Sequence, residues 1–253
     1  MDFQNIFKME CYKTFHRKST RLLLIFCILP LFYGIGNMLD FQGVTIEGHF
    51  SAVTFGSMCW SLLGLTGVTN VIFIILTANY FGNEKEMGQI KFLVLESCDR
   101  KKTIWGKFSV MFLQIFQSYL LMYVTSVLVY YGFIAGEEYG SMLVGGMEDI
   151  LICFSTDILY MIQLLIVVSI EIMLCMYYKS STSLLLGITI SYLFIVLQYV
   201  PFVKFADPIY LVELFNDSKI STGIIAIYVL IYLLICYFIL VCAGKKFERD
   251  ELK

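Results

Sequence analysis

Six long stretches of this chain carry no Asp, Glu, Lys or Arg: residues 22–39, 50–83, 108–136, 158–170, 180–203 and 220–244. A helix needs about 20 apolar residues to cross the hydrocarbon core of a bilayer. A soluble globule of 253 residues has no interior large enough to hide six such runs. Trimmed by turn residues and interfacial aromatics, the runs predict six transmembrane helices: Leu22–Met38, Phe55–Phe81, Phe108–Ala135, Ile150–Tyr178, Ser183–Val203 and Gly223–Ala243. They lack the period-two alternation and the roughly 9–11-residue length of barrel strands. The expected class is therefore an all-α integral membrane protein. Its composition, 59% hydrophobic and 15% charged, against about a quarter charged in soluble domains, argues against a soluble enzyme, a disordered chain and a nucleic-acid binder.

The formal net charge of −2 conceals an asymmetry. Sixteen of the eighteen Lys and Arg fall on one side of the predicted spans. They sit in the N-terminal arm (Lys8, Lys13, Arg17, Lys18, Arg21), in the loop 82–107, at Lys179 and in the C-terminal tail (Lys245, Lys246, Arg249, Lys253). Only Lys204 and Lys219 fall on the other side. Basic residues stay cytoplasmic, so both termini are expected in the cytoplasm, as an even number of spans requires. The outer segments hold nine acids: Asp40, Glu47, Glu137, Glu138, Glu148, Asp149, Asp207, Glu213 and Asp217. That face either merely lacks bases or attracts cationic ligands. The first apolar run follows a long charged arm and carries no small-x-small cleavage site, so it reads as a retained helix.

Catalytic and metal-binding patterns are missing. The eight Cys form no C-x-x-C pair and fall mostly inside apolar runs, where Cys acts as a small hydrophobe. Neither a disulfide framework nor a metal site is expected. His16 and His49 lie outside the spans, and H-E-x-x-H, G-x-S-x-G, G-x-x-x-x-G-K-[ST] and G-x-G-x-x-G do not occur. Transport or signalling is expected rather than catalysis, with no cofactor bound by this chain.

Two cytoplasmic segments have helical patterning. Phe3, Ile6, Phe7, Cys11 and Phe15 form one stripe with Lys8, Lys13, Arg17 and Lys18 largely off it. This predicts a helix lying in the inner membrane interface against lipid, or a plain basic anchor. In the loop 82–107, Glu84, Glu86 and Gly88 precede an amphipathic run in which Ile90, Leu93, Val94 and Ser97 share one face. Asp99 is placed to cap a second short helix over 100–107 that carries Arg100, Lys101, Lys102 and Lys107. Such a loop can lie on the membrane or insert into a partner's groove.

Polar groups at membrane depth are costly and are functional candidates. Asp157 and Glu171 are 14 residues apart on one predicted helix, which returns them to within about 40° of one face. With Asn70 they are the translocation candidates; hydrogen bonding between helices is the alternative for all three, as for Gln114, Gln117 and Gln163. Pro30 is expected to kink the first span, and Gly64 and Gly67 to admit a close neighbour in the second. Residues 204–222 are too apolar for a plain outer loop. With Pro at a favoured first helical position after Asp207, they predict a re-entrant helical element in the outer leaflet.

Six spans, an interfacial arm and this loop between the second and third spans resemble an ABC type-2 exporter permease. The family's acid pair, Gly, apolar coupling helix, basic cluster and Lys leading into the third span correspond to Glu84/Glu86, Gly88, Ile90–Leu95, Arg100–Lys102 and Lys107. The family's Pro-Val-Ser is replaced here by Glu96-Ser97-Cys98-Asp99. The tail Phe247-Glu248-Arg249-Asp250 resembles the family's ending, and a re-entrant element before the last span is shared with it. The resemblance implies two permeases, identical or sister chains, and two ATPase subunits that hold the ATP and Mg and dock on the 82–107 loop. In size and layout the chain is most similar to small bacterial cell-membrane permeases that export, or confer immunity to, peptide antibiotics such as lantibiotics and bacitracin. A permease for lipid, drug or another cargo, and a non-pumping sensor or scaffold subunit, remain open as alternatives.

Overall fold

The computed structural model describes residues 3–39, 41, 50–90, 100–137, 140–197, 200, 204, 207–216 and 221–249. These residues are almost wholly helical. Among them there is no β-strand, only an isolated bridge between Phe50 and Gly140. In chain order the helices are α1 (Phe3–His16), a 3₁₀ stretch (Lys18–Cys27), α2 (Ile28–Met38), α3 (Ala52–Leu65), α4 (Val68–Thr77), a π-helical segment (Ala78–Gly82), α5 (Asn83–Glu86), α6 (Arg100–Val129) running into a second π segment (Tyr130–Ile134), α7 (Met147–Tyr177), α8 (Ser180–Leu197), α9 (Pro208–Asn216) and α10 (Thr222–Arg249).

Four helical segments are each long and apolar enough to cross a membrane: Lys18–Met38, Lys101–Ile134, Met147–Tyr177 and Gly223–Arg249. The pair Ala52–Leu65 and Val68–Glu86 makes a fifth if taken as one bent span. The expected fifth span in the chain, α8, is apolar but shorter, and its predicted continuation through residue 203 lies, Val200 apart, outside the described residues. α7 is the central element: 72% of its apolar window is buried in protein, against 22–39% for the other three spans. Around it pack α3, α4, α8, α9 and α10.

Three departures from the sequence reading have local causes. The second span is not one helix but bends by 67° between Leu65 and Val68, because Gly67 takes a left-handed φ of 71° that only glycine adopts cheaply. Both glycines admit a close neighbour as expected, Gly64 the ring of Tyr160 and Gly67 the side chains of Ile195 and Tyr192. The separate short helix expected over 100–107 is instead the first two turns of α6, and Asp99 lies outside the described residues. Pro30 is the third residue of α2, into which the 3₁₀ stretch runs through Ile28 N–H bonding Ile25 O. The change of helix type comes two residues earlier, at Cys27–Ile28.

Ser51 caps α3. Its hydroxyl accepts from Thr54 N–H at 3.3 Å while Thr54 Oγ1 accepts from Ser51 N–H at 2.8 Å. Tyr130 OH, placed by the second π segment, donates to the carbonyls of Phe50 or Ser141 and accepts from Ser141 N–H at 2.8 Å, holding the segments before α3 and α7 together. α9 begins at Pro208 as expected and buries Leu211, Val212 and Phe215, packing on α7.

Candidate functional site: a hub around α5

The four-residue turn α5 follows directly from the π segment and carries Glu84, Lys85 and Glu86. Each of the three side chains goes to a different part of the molecule. Glu84, 3% exposed, takes Lys107 Nζ at 2.5 Å, Lys13 Nζ at 3.1 Å and the Arg17 guanidinium. Lys107 also donates to Glu10 at 3.0 Å and to Tyr80 O at 3.1 Å, and Lys13 reaches Glu10 at 3.0 Å. Two carboxylates and three cations thus tie the arm α1 to the end of the second span and the start of α6. The Tyr80 ring lies under Arg17, 5.1 Å from its guanidinium carbon, and its hydroxyl meets Thr20 and Gln114.

Lys85 turns the other way. Its ammonium donates to the carbonyls of Cys175 at 3.2 Å and Met176 at 2.7 Å. Those are last-turn acceptors of α7 with no helical donor, where a cation also meets the negative end of the helix dipole. Glu86 accepts from Ser180 N–H at the first turn of α8, the complementary arrangement at a positive helix end. Ser180 Oγ in turn donates to Ala78 O at 3.1 Å. A Cβ on Gly82 would stand 2.9 Å from the Ser180 side chain, so glycine there lets α8 seat against the π segment. Gly88, at φ 71°, turns the chain out of α5.

Of the sequence-predicted coupling residues, Glu84, Glu86 and Lys107 therefore converge on this hub, and Ile90 is buried at 1% exposure. Leu93 and Val94 lie outside the described residues, as does the Arg100 side chain. Lys101 and Lys102 face outward, with Lys101 3.3 Å from Glu248 of the tail. The tail folds back on the hub: Phe247 is fully buried, 6.4 Å from Phe81 between ring centres, and Lys246 lies over Tyr177.

The arm packs on the bundle through a face that its apolar stripe does not mark, apart from Ile6. Ile6, Glu10 and Thr14 are its buried residues, while Phe3 and Phe15 are exposed. Beside a membrane the apolar stripe can take lipid and the polar face can take protein. Burial alone would raise the Glu10 carboxyl; the Lys107 and Lys13 ammonium groups outweigh it and hold that carboxyl below its ordinary value. Glu10, Lys13, Arg17, Tyr80 and Ser180 are hub residues that the sequence reading missed. The spacing of 10, 13, 14 and 17, a polar stripe at helical intervals, was the signal for the first three. A cavity of about 10 Å³ beside Glu10, Tyr80 and Lys107 has room for about one water.

The intramembrane candidates are all buried. Asp157 accepts from Ser57 Oγ at 2.7 Å and Tyr119 OH at 2.9 Å, joining α3, α6 and α7. Glu171 accepts weakly from Cys175 Sγ at 3.6 Å, its other oxygen has no partner, and its carboxyl packs on Gly187 of α8. Asn70 is 1% exposed with its amide nitrogen unpartnered. Among the described residues no three His, Cys, Asp or Glu converge as metal ligands, and the seven described cysteines are free thiols. No family model matches the chain, and no curated protein matches it.

Proposed function

We propose that the chain is the permease subunit of an ATP-driven exporter in a bacterial cell membrane, with six spans and both termini in the cytoplasm. Two copies, or this chain and a sister, form the pore, and two separate ATPase subunits bind ATP and Mg and dock on the 82–107 loop. The observation that carries this reading is the hub. The turn that opens the loop is bonded to the arm, to α6, to the end of α7 and to the start of α8. A push delivered through that loop reaches most of the bundle through contacts of 2.5–3.2 Å. Six spans are reached by counting the bent pair as one and α8 with its continuation as another.

The cargo proposed is a peptide antibiotic, removed from the cell or held off it, with the nine outer acids drawing cationic peptides. Co-expression with a candidate ABC ATPase tests the assembly. The expected result is that the chain retains the ATPase on purification, and that replacing Glu86 together with Arg100, Lys101 and Lys102 by Ala releases it. Transport by the isolated chain without any ATPase would overturn the proposal. Unchanged peptide resistance after Glu137→Gln, Glu148→Gln and Asp149→Asn would redirect the cargo to a lipid or drug. Resistance surviving an inactivated ATPase would indicate a non-pumping sensor or scaffold.

A further inference from the structure

A narrow cleft lies between the start of α6 and the end of α10. Lys101, Ile104, Trp105, Leu240, Val241 and Gly244 line it, around a cavity of about 30 Å³. The apolar spans of the two helices run over Lys101–Ile134 and Gly223–Arg249. The cleft therefore stands where hydrocarbon gives way to water.

Gly244 opens it. A glycine inside a helix is unfavourable, and elsewhere in this bundle close packing accounts for one: a Cβ would stand 2.4 Å from Tyr160 at Gly64 and 2.9 Å from Ile6 at Gly106. Gly244 is buried, yet a Cβ there would meet only Lys101 Cγ, at 3.8 Å. That is an ordinary contact, so the packing of α6 on α10 does not require glycine.

The surroundings of the cleft are sorted by depth. On the water side the Lys101 side chain is 57% exposed, and Lys102, Lys245 and Arg249 are exposed as well. Lys245 is one turn on from Val241, on the same helical face. Glu248 pairs with Lys101 at 3.3 Å but is itself 43% exposed, and a pair so open to water is weak. On the bilayer side the rings of Trp105 and Tyr237 stand 5.6 Å apart, residue types that favour the membrane interface. Beyond them Phe112, Leu234 and Phe238 are 51%, 67% and 68% exposed. Bases, interfacial rings and open apolar surface follow one another as the phosphate, glycerol region and acyl chains of a phospholipid do. Basic pockets between membrane helices on the cytoplasmic side suit anionic headgroups.

We infer that the cleft between α6 and α10 binds an anionic phospholipid, with its phosphate at Lys101 and Lys245 and its acyl chains along Trp105 and Tyr237. The lipid joins the last span to the helix that carries Lys107 of the hub.

Quenching by brominated lipid tests this. In a Trp60→Phe background Trp105 is the remaining tryptophan. The chain is placed in vesicles that mix phosphatidylglycerol with phosphatidylcholine, either one brominated near the headgroup end of its chains, and the relative affinity of the two lipids is read from Trp105 fluorescence. The expected preference for phosphatidylglycerol is about fivefold or more. Lys101→Gln with Lys245→Gln should bring it to about one. Gly244→Leu, which fills the cleft and keeps every charge, should reduce it too; if that variant does not fold, Gly244→Ala reads the same dependence through a smaller group. Equal affinities in the parent would overturn the site, as would a preference untouched by the lysine variants. A preference that survives filling the cleft would overturn the cleft as its seat. Loss of the preference on adding millimolar glycerol phosphate would overturn lipid as the occupant in favour of a free phosphate ester. The inference needs only a bilayer, and the measurement is made without an ATPase, so it fails separately from the co-purification test of the permease reading.

Discussion

Lys107→Met is the sharpest probe of the hub. Lys107 and both of its carboxylate partners are 4% exposed at the side chain, so solvent screens none of the three. Removing one partner of such a buried pair costs about 3–5 kcal/mol, mostly because charge is left uncompensated. Lys13 touches the same two carboxylates but is 33% exposed, and a pair screened to that degree contributes about 1 kcal/mol or less. For a chain of this size each kcal/mol moves the thermal midpoint by about 2–4 °C. Lys107→Met should therefore lower the midpoint in detergent by about 6–20 °C, and Lys13→Met by no more than about 4 °C. Lys13 and Arg17 still pair the two carboxylates after Lys107→Met, so Glu84→Gln is added to isolate the Glu84–Lys107 coupling rather than to recover stability. The assay is melting followed by fluorescence of Trp60 and Trp105, completed as a double-mutant cycle. Equal shifts for Lys107→Met and Lys13→Met, or a Glu84–Lys107 coupling below about 0.5 kcal/mol, would refute the claim that this pair carries the joint.

The Glu10 carboxyl lies below its ordinary value in the fold, so the stability it supplies is complete above about pH 4.3 and is lost as pH falls from there through the folded value. The gap in melting midpoint between wild type and Glu10→Gln should narrow over that interval; a gap constant over roughly pH 3–6 would exclude an ionised Glu10 as its source. Gly88→Ala, at φ 71°, should cost about 1–2 kcal/mol by strain in the left-handed region. Gly82→Ala, meeting Ser180 at 2.9 Å, should cost about 1–3 kcal/mol by prising α8 from the π segment; both are read by melting, and Ser180→Gly should rescue only the second. Tyr119→Phe removes one of the two donors to Asp157 and should cost about 0.6–1.7 kcal/mol, the range for hydrogen bonds between membrane helices, while Tyr123→Phe, whose hydroxyl meets only Val53 O at 3.4 Å, should cost less.

The long helices were legible because absence of charge over about 20 residues has one physical meaning. The acid pair and Lys107 were legible as a group, although which faces they sought was not. The arm's apolar stripe was legible and leaves Phe3 and Phe15 exposed for lipid; the polar face that docks on the bundle was not, because Glu10, Lys13 and Arg17 gain partners only from distant segments. The bend at Gly67 was invisible because a glycine in an apolar run reads alike as a packing notch, which Gly64 is, and as a left-handed break, which Gly67 is. Lys85 passed as one more inner base; its role depends on where α7 ends, and Cys175 is 90 residues away.

The hub also sets an order of assembly during synthesis. Lys13 and Arg17 precede Glu84 by 71 and 67 residues, so both cations are synthesised before the carboxylate they meet. Lys107 follows 23 residues later, and the seat for Glu86 at Ser180 comes only 94 residues after it. Until α8 arrives the nascent chain holds a half-closed clasp: spans one to three anchored, the Glu86 side chain without its seat. A chain stalled or truncated before Ser180 would expose an unsatisfied acid at the membrane surface, a mark by which quality control could tell an unfinished bundle from a finished one.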